Sequence, residues 1–154
     1  MDMPKLTEQH EKLQALAGTW RGEERIHPSP WDAKGGPAMA EWTARIGCDG
    51  FFLISDYAQS RGGKVTYRGH GVYGWDAQEK CYTMHWFDSM GSGATVPAVR
   101  GAWEGDTLTF QHQASMGHSR YVYVFESADL FRFRIENSQD GKAWSIFQDG
   151  VYTR

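Results

Sequence analysis

From Gly18 onward the chain carries short runs of aromatic and β-branched residues between glycine-bearing breaks, and no helical period appears. The pattern predicts strands near 19–27, 38–48, 51–60, 64–75, 79–88, 96–104, 107–114, 118–127, 130–138 and 143–153. The breaks have turn chemistry: Asp49-Gly50, Gly62-Gly63, Asp76-Ala77-Gln78, Gly105-Asp106, Met116-Gly117 and Asp140-Gly141. One helix is predicted before them, over about 6–17. Thr7 can cap it, Leu6, His10, Leu13 and Ala17 share a face, and Gly18 can end it. The longest irregular connections are 28–37 and 89–95.

About ten strands joined by short links, with no crossover helices, predict an all-β chain. The expected architecture is a closed antiparallel up-and-down β-barrel, because closure hides every strand edge. A two-sheet sandwich is the competing arrangement. At 154 residues the chain is read as one domain, helix about 6–17 and barrel about 18–154.

Hairpin turns then predict which side chains point inward, since facing residues sum to a constant set by the turn. Across Asp49-Gly50, Trp42 faces Tyr57, Ala44 faces Ser55 and Ile46 faces Leu53, while the polar Glu41, Thr43 and Arg45 take the outer face. Carried across Gly62-Gly63, the inner face pairs Tyr57 with Arg68 and Ser55 with His70. Carried on across Ala77-Gln78, it pairs His70 with His85. Gly105-Asp106 pairs Val99 with His112, and Asp140-Gly141 pairs Phe133 with Gln148 and Arg132 with Asp149. The expected lumen is aromatic and aliphatic, with a polar island of Tyr57, Arg68, His70, His85, His112 and Gln148. Buried polar groups need partners. They form either a satisfied internal network or the orienting groups of a ligand cavity.

Composition narrows the functions. Lys plus Arg is 16 and Asp plus Glu 19, a net charge of −3, so no nucleic acid is expected as partner. Cys48 and Cys81 make no disulfide framework. The start, Met-Asp-Met-Pro-Lys, lacks the pattern of a secretory signal. No apolar run approaches the roughly 20 residues of a membrane helix, so no membrane is expected as partner and a cytoplasmic location is. Opposed His70 and His85 would supply two metal ligands where zinc wants three or four, so no metal is expected. Gly-x-Ser-x-Gly is absent, and the chain shows no nucleophile beside a base. Trp31, in the longest loop, is read as a lid over the barrel mouth, as a homodimer contact, or as simple loop packing.

Gly18-Thr19-Trp20 directly after a short helix resembles the Gly-x-Trp signature of lipocalins and their calycin relatives. That resemblance implies that Trp20 closes one barrel end beneath an Arg of the last strand, which here is Arg154. The runs GTWRGEERIHPSPWD, GHGVYGWD, WFDSMG and DGVYTR are similar to those of an uncharacterised family of bacterial calycin-like proteins, over most of the chain. GTWRGE also resembles nitrobindin-type barrels, in which a His near the C-terminus ligates haem. Residues 143–154 contain no His, so no cofactor is expected and haem is the alternative. Fatty-acid-binding proteins are more distant, since their Arg-x-Tyr carboxylate clamp is absent.

The expected function is binding of a small hydrophobic or amphipathic molecule in the barrel. Arg68 would pair an anionic group on it, Tyr57 and His70 would hydrogen-bond it, and His85 would support His70. Two alternatives stand beside it. One is an acid/base enzyme or haem protein using the barrel histidines. The other is a structural or interaction protein with a filled core.

Overall fold

The computed structural model describes residues 1–95, 97–114 and 117–154. Ten antiparallel strands close into one barrel: β1 (Gly18–Ile26), β2 (Gly36–Gly47), β3 (Phe52–Arg61), β4 (Lys64–Asp76), β5 (Cys81–Asp88), β6 (Val99–Glu104), β7 (Thr107–Ala114), β8 (Gly117–Ser127), β9 (Leu130–Ser138) and β10 (Ser145–Thr153). Each strand pairs with its neighbours in sequence, and β1 closes the circle on β10 through Arg21 opposite Thr153 to Ile26 opposite Gln148. The sandwich is thereby excluded. Every expected strand is present with its ends within three residues, and Val96, the expected start of the sixth, lies outside the described residues. The Met116-Gly117 turn lies partly outside the described residues.

Strand formation follows the period-2 pattern. On β2, Ala38, Ala40, Trp42 and Ala44 are buried, while Pro37, Met39, Glu41, Thr43 and Arg45 are exposed. The β1 alternation is equally strict: Trp20, Gly22, Glu24 and Ile26 face in and Thr19, Arg21, Glu23 and Arg25 face out.

The helix is shorter than expected. α1 spans Glu8–Lys12 and tightens into a 3₁₀ turn over Leu13–Leu16. His10 Nδ1 accepts the Thr7 backbone N–H at 3.0 Å, tying down the first turn. The buried side chains of this segment are His10, Leu13 and Leu16. Leu6 is exposed, because its position precedes the turn that docks. Leu13 and Leu16 join the core with Trp20, Leu53 and Leu108 and plug one barrel end. Trp20 Nε1 donates to the Leu16 carbonyl at 2.9 Å, and the Arg154 guanidinium lies 4.5 Å from the Trp20 ring centroid.

The hairpin arithmetic holds across two turns and fails across three. Trp42 faces Tyr57 and Trp103 faces Leu108 as expected. Across Gly62-Gly63 the expected register begins correctly, with Arg61 opposite Lys64 and Ser60 opposite Val65. A bulge then leaves Thr66 unpaired, so Gln59 meets Tyr67 and Tyr57 meets Gly69. One extra residue exchanges the two faces of β4 beyond it. The next turn is four residues long, with Asp76 opposite Cys81, and shifts the register by two without changing faces. A second bulge, at Phe147, turns Ile146 outward and pairs Gln148 with Ile135 and Arg134 with Asp149.

Candidate functional site

The bulge at Thr66 decides the site. It turns Arg68 and His70 out of the lumen and brings Gly69, Gly71 and Tyr73 inward. Arg68 is exposed, so the expected pairing with an anion in the lumen does not occur. His70 sits outside, with Nδ1 2.8 Å from Asp56 Oδ1. His85 is exposed and lies opposite Val72, not His70, which faces Phe87. His85 therefore cannot support His70, and the two imidazoles do not form an acid/base pair. Tyr57, His112 and Gln148 do come together on the wall of one cavity, and His85 borders it where β5 leaves β6.

That cavity encloses about 320 Å³ in the half of the barrel away from α1. Its walls are mainly aromatic: Trp42, Tyr73, Trp86, Tyr123, Phe131 and Phe133. Three of the aromatic rings in the barrel lie flat against the wall over glycines. A methyl group on Gly22, Gly69 or Gly101 would come within 2.5, 2.0 or 2.6 Å of the ring of Tyr152, Trp86 or Phe110 respectively. The cavity reaches the surface beside the thinnest seam. Among the described residues β5 and β6 share only the pairs Tyr82–Gly101, Thr83–Arg100 and Met84–Val99, and Ser92, Gly93 and Pro97 of the connection between them line the opening. Trp31 is 79% exposed, rests edge-on against Phe147 and is not among the lining residues. It is not the lid.

Sequence reasoning missed the residue at the centre of the polar cluster. Glu24 is 5% exposed, and its carboxylate faces inward from β1. Oε1 accepts from the Tyr57 hydroxyl at 2.7 Å and Gln59 Nε2 at 3.2 Å. Oε2 accepts from Gln148 Nε2 and the Tyr152 hydroxyl, both at 2.5 Å. Four donors thus occupy the roughly four lone-pair positions of a carboxylate. Burial pushes the Glu24 carboxyl above its usual range, and the hydrogen bonds from Tyr152, Tyr57, Gln59 and Gln148 only partly offset this. Burial and then the neighbouring Glu24 push the Tyr57 phenol upward, so it remains a protonated donor. The signal was present in the strict alternation from Trp20, which places Glu24 on the same face two positions beyond Gly22.

A second carboxylate stands at the opening. Asp88 Oδ2 accepts the Tyr67 hydroxyl at 2.9 Å, and Tyr67 in turn accepts Trp86 Nε1 at 2.9 Å. Asp88 Oδ1 accepts the backbone N–H groups of Met90 and Ser92 at 3.0 and 3.1 Å, fixing the start of the connection that borders the opening. Deeper in the barrel, the Tyr73 and Tyr123 hydroxyls lie 3.1 Å apart, and burial raises the Tyr73 phenol to about 12. No Lys or Arg among the described residues lines the cavity. Among the described residues no group of three or more His, Cys, Asp or Glu side chains is arranged to hold a metal, and no helix is long and apolar enough to cross a membrane.

Comparison with known proteins adds the family and two folds. Rv2717c from M. tuberculosis superposes with a TM-score of 0.70 at 14% identity, covering 97% of this chain and 99% of that one. The S-type phycobiliprotein lyase CPES from Guillardia theta superposes with a TM-score of 0.64 at 10% identity, covering 97% and 96%. At such identities the likeness is one of fold. No curated protein matches the chain. The family model described as "Protein of unknown function (DUF1579)" matches residues 5–154, and the chain belongs to that family.

Proposed function

We propose that this protein binds a small, mostly apolar, non-anionic molecule inside its barrel and carries out no chemistry on it. The observation behind this reading is the aromatic cavity of about 320 Å³, at the lower end of the ~300–1,000 Å³ of small-molecule pockets. A barrel built only for stability would fill that space with side chains. The electrostatics set the charge of the occupant. Two carboxylates stand at the polar positions, Glu24 behind the lining tyrosines and Asp88 at the opening, and among the described residues no Lys or Arg lines the lumen. An anion would enter a low-dielectric site without a partner.

A pair of fluorescent probes tests this directly. N-phenyl-1-naphthylamine is neutral, and 8-anilino-1-naphthalenesulfonate has the same rings with a sulfonate. The neutral probe should show saturable enhancement at one site per chain, and the sulfonate should bind at least tenfold more weakly. Failure of the neutral probe to saturate, or tighter binding of the sulfonate, overturns the reading. The proposal needs no cofactor. A haem iron would have to use His112 or the exposed His85 of the cavity border, and a haem titration followed at the Soret band exposes that alternative.

A further inference from the structure

The ligand class can be narrowed by following the hydroxyl protons, an argument that rests on the cavity reading above. A phenol has one proton to donate and two lone pairs to offer. Tyr57 gives its proton to Glu24 Oε1, Tyr152 gives its own to Glu24 Oε2, and Tyr67 gives its own to Asp88 Oδ2. All three tyrosines line the cavity. Asp88 itself borders the opening, but Glu24 stands behind the lining, so the Tyr57 and Tyr152 protons point away from any occupant and their oxygens remain to face it.

The remaining polar groups sharpen this asymmetry. The Tyr152 hydroxyl commits its proton to Glu24 and lies beside the Tyr57 hydroxyl, which has likewise given its proton to Glu24, so the Tyr152 oxygen is left as an acceptor. The Tyr57 oxygen takes one good bond, from Gln59 Nε2 at 3.0 Å, and Gln148 Nε2 stands at 3.5 Å. Gln148 Nε2 is committed to Glu24 and Trp86 Nε1 to Tyr67. The donors left uncommitted on the wall are the hydroxyls of Tyr121, of one member of the Tyr73–Tyr123 pair and of Ser92 at the opening, and the His112 ring, none of which belongs to the Glu24 cluster. Behind the acceptor oxygens lies a carboxylate saturated by four donors, which polarises the phenols further and adds negative potential to that end of the lumen.

We propose that the cavity recognises flat apolar molecules bearing a hydrogen-bond donor, an ammonium or N–H group, which docks on the Tyr57 and Tyr152 hydroxyl oxygens. The donor supplies the positive charge or dipole that the chain itself does not place there. Glu24 is then a positioning residue, because it fixes the direction of both hydroxyls without touching the ligand.

The test uses three probes on one ring system, titrated by calorimetry against the full chain: 1-naphthylmethylammonium, 1-methylnaphthalene and 1-naphthoate. The ammonium should bind about tenfold or more tighter than 1-methylnaphthalene, with 1-naphthoate weakest. Equal binding of the ammonium and 1-methylnaphthalene overturns the donor inference and leaves the cavity reading standing. Tightest binding by 1-naphthoate overturns both, as does failure of all three. The Glu24→Gln variant reads the positioning role. Its amide frees one or both tyrosine protons to turn toward the lumen, so the ratio of ammonium to 1-methylnaphthalene affinity should fall to about threefold or less. An unchanged ratio in a variant with wild-type circular dichroism refutes that role. The wild-type series decides the ligand class even if the variant does not fold.

Discussion

Removing the Glu24 carboxylate tests the energetics of the polar cluster. In Glu24→Ala the groups that lose their acceptor are the Tyr57 and Tyr152 hydroxyls and Gln148 Nε2, while Gln59 Nε2 keeps Tyr57 at 3.0 Å and the Gln148 carbonyl at 3.1 Å. A bared buried donor costs about 1–3 kcal/mol, and these three border a lumen that can admit water, so the lower figure applies to each. The sum of about 3 kcal/mol is reduced by relief of the buried carboxylate, and a net loss of about 2–3 kcal/mol is expected at neutral pH. Glu24→Gln keeps the shape and should lose about 1–2 kcal/mol. Its pH dependence carries the sharper information. The folded-state pKa of Glu24 is raised above 4.5, so folding takes up a proton there as pH passes through that window. Stability tied to this group is fully present below pH 4.5 and is lost as pH rises through the elevated value. Glutamine does not titrate, so the gap between wild type and Glu24→Gln should be widest near pH 4 and should narrow toward neutrality. Glu136 slopes the other way. Burial raises its carboxyl, but Arg120 and Arg134 outweigh this and hold it low. That contribution is common to both proteins and cancels in the difference. Urea denaturation at half-unit pH steps measures the gap. A gap that widens between pH 4.5 and 8, or stays constant, refutes the account of a carboxylate dominated by burial.

Three further substitutions probe other parts of the argument. Arg154→Ala removes the guanidinium over Trp20 and its bonds to the Ala17 carbonyl and Asp129. It should cost about 1–2 kcal/mol and lower the melting temperature by about 3–6 °C, seen in a thermal scan with a change in tryptophan emission. Gly69→Ala places a methyl group 2.0 Å from Trp86 Cζ2. The ring must swing inward, so stability should drop by about 1–3 kcal/mol and binding of N-phenyl-1-naphthylamine should weaken at least tenfold. Arg68→Ala should change stability by less than about 0.5 kcal/mol and leave the same probe's affinity within twofold, whereas a large loss would return Arg68 to the lumen.

The fold was legible because barrel closure depends on features that sequence carries locally: turn residues, strand-length apolar runs and the absence of crossover helices. The faces of the strands were legible only as far as the register held. Trp42 opposite Tyr57 and Trp103 opposite Leu108 follow from their turns alone. The β3–β4 hairpin shows where such reasoning ends. Its turn is the expected one, and the first two pairs obey it, but Thr66 bulges and every side chain beyond it changes face. Nothing in the run Lys64-Val65-Thr66-Tyr67 announces a bulge. The outcome does have a physical logic: without the shift Arg68 and His70 would be buried among aromatics, and with it Gly69 and Gly71 are. Weighing desolvation against turn geometry would have favoured the shifted register. Glu24 was overlooked for the converse reason. A charged residue on a strand is ordinarily assigned to solvent, yet its position relative to Trp20 left it no outward option without turning Trp20 out as well.

The glycines connect this register to function. A barrel of ten strands with many inward aromatics would be expected to pack its lumen solid, leaving no room for a ligand. Here inward glycines stand across the strands from large rings: Gly22 opposite Tyr152, Gly71 opposite Trp86, Gly101 opposite Phe110 and Gly150 opposite Phe133. Gly22, Gly71 and Gly101 let the facing ring lie along the wall instead of reaching for the axis, and Gly150 leaves room for Glu24. The rings gain contact with backbone, the sheet stays paired, and space remains at the centre. The same device places Tyr152 beside Glu24, since a side chain at Gly22 or Gly150 would push one of them away. The polar cluster and the cavity are therefore joined at Gly22, whose facing ring, Tyr152, belongs to both. Filling Gly22 should push Tyr152 into the lumen and away from Glu24, narrowing the cavity and disrupting the network together, whereas a cavity left by accidental underpacking would shrink with the network intact.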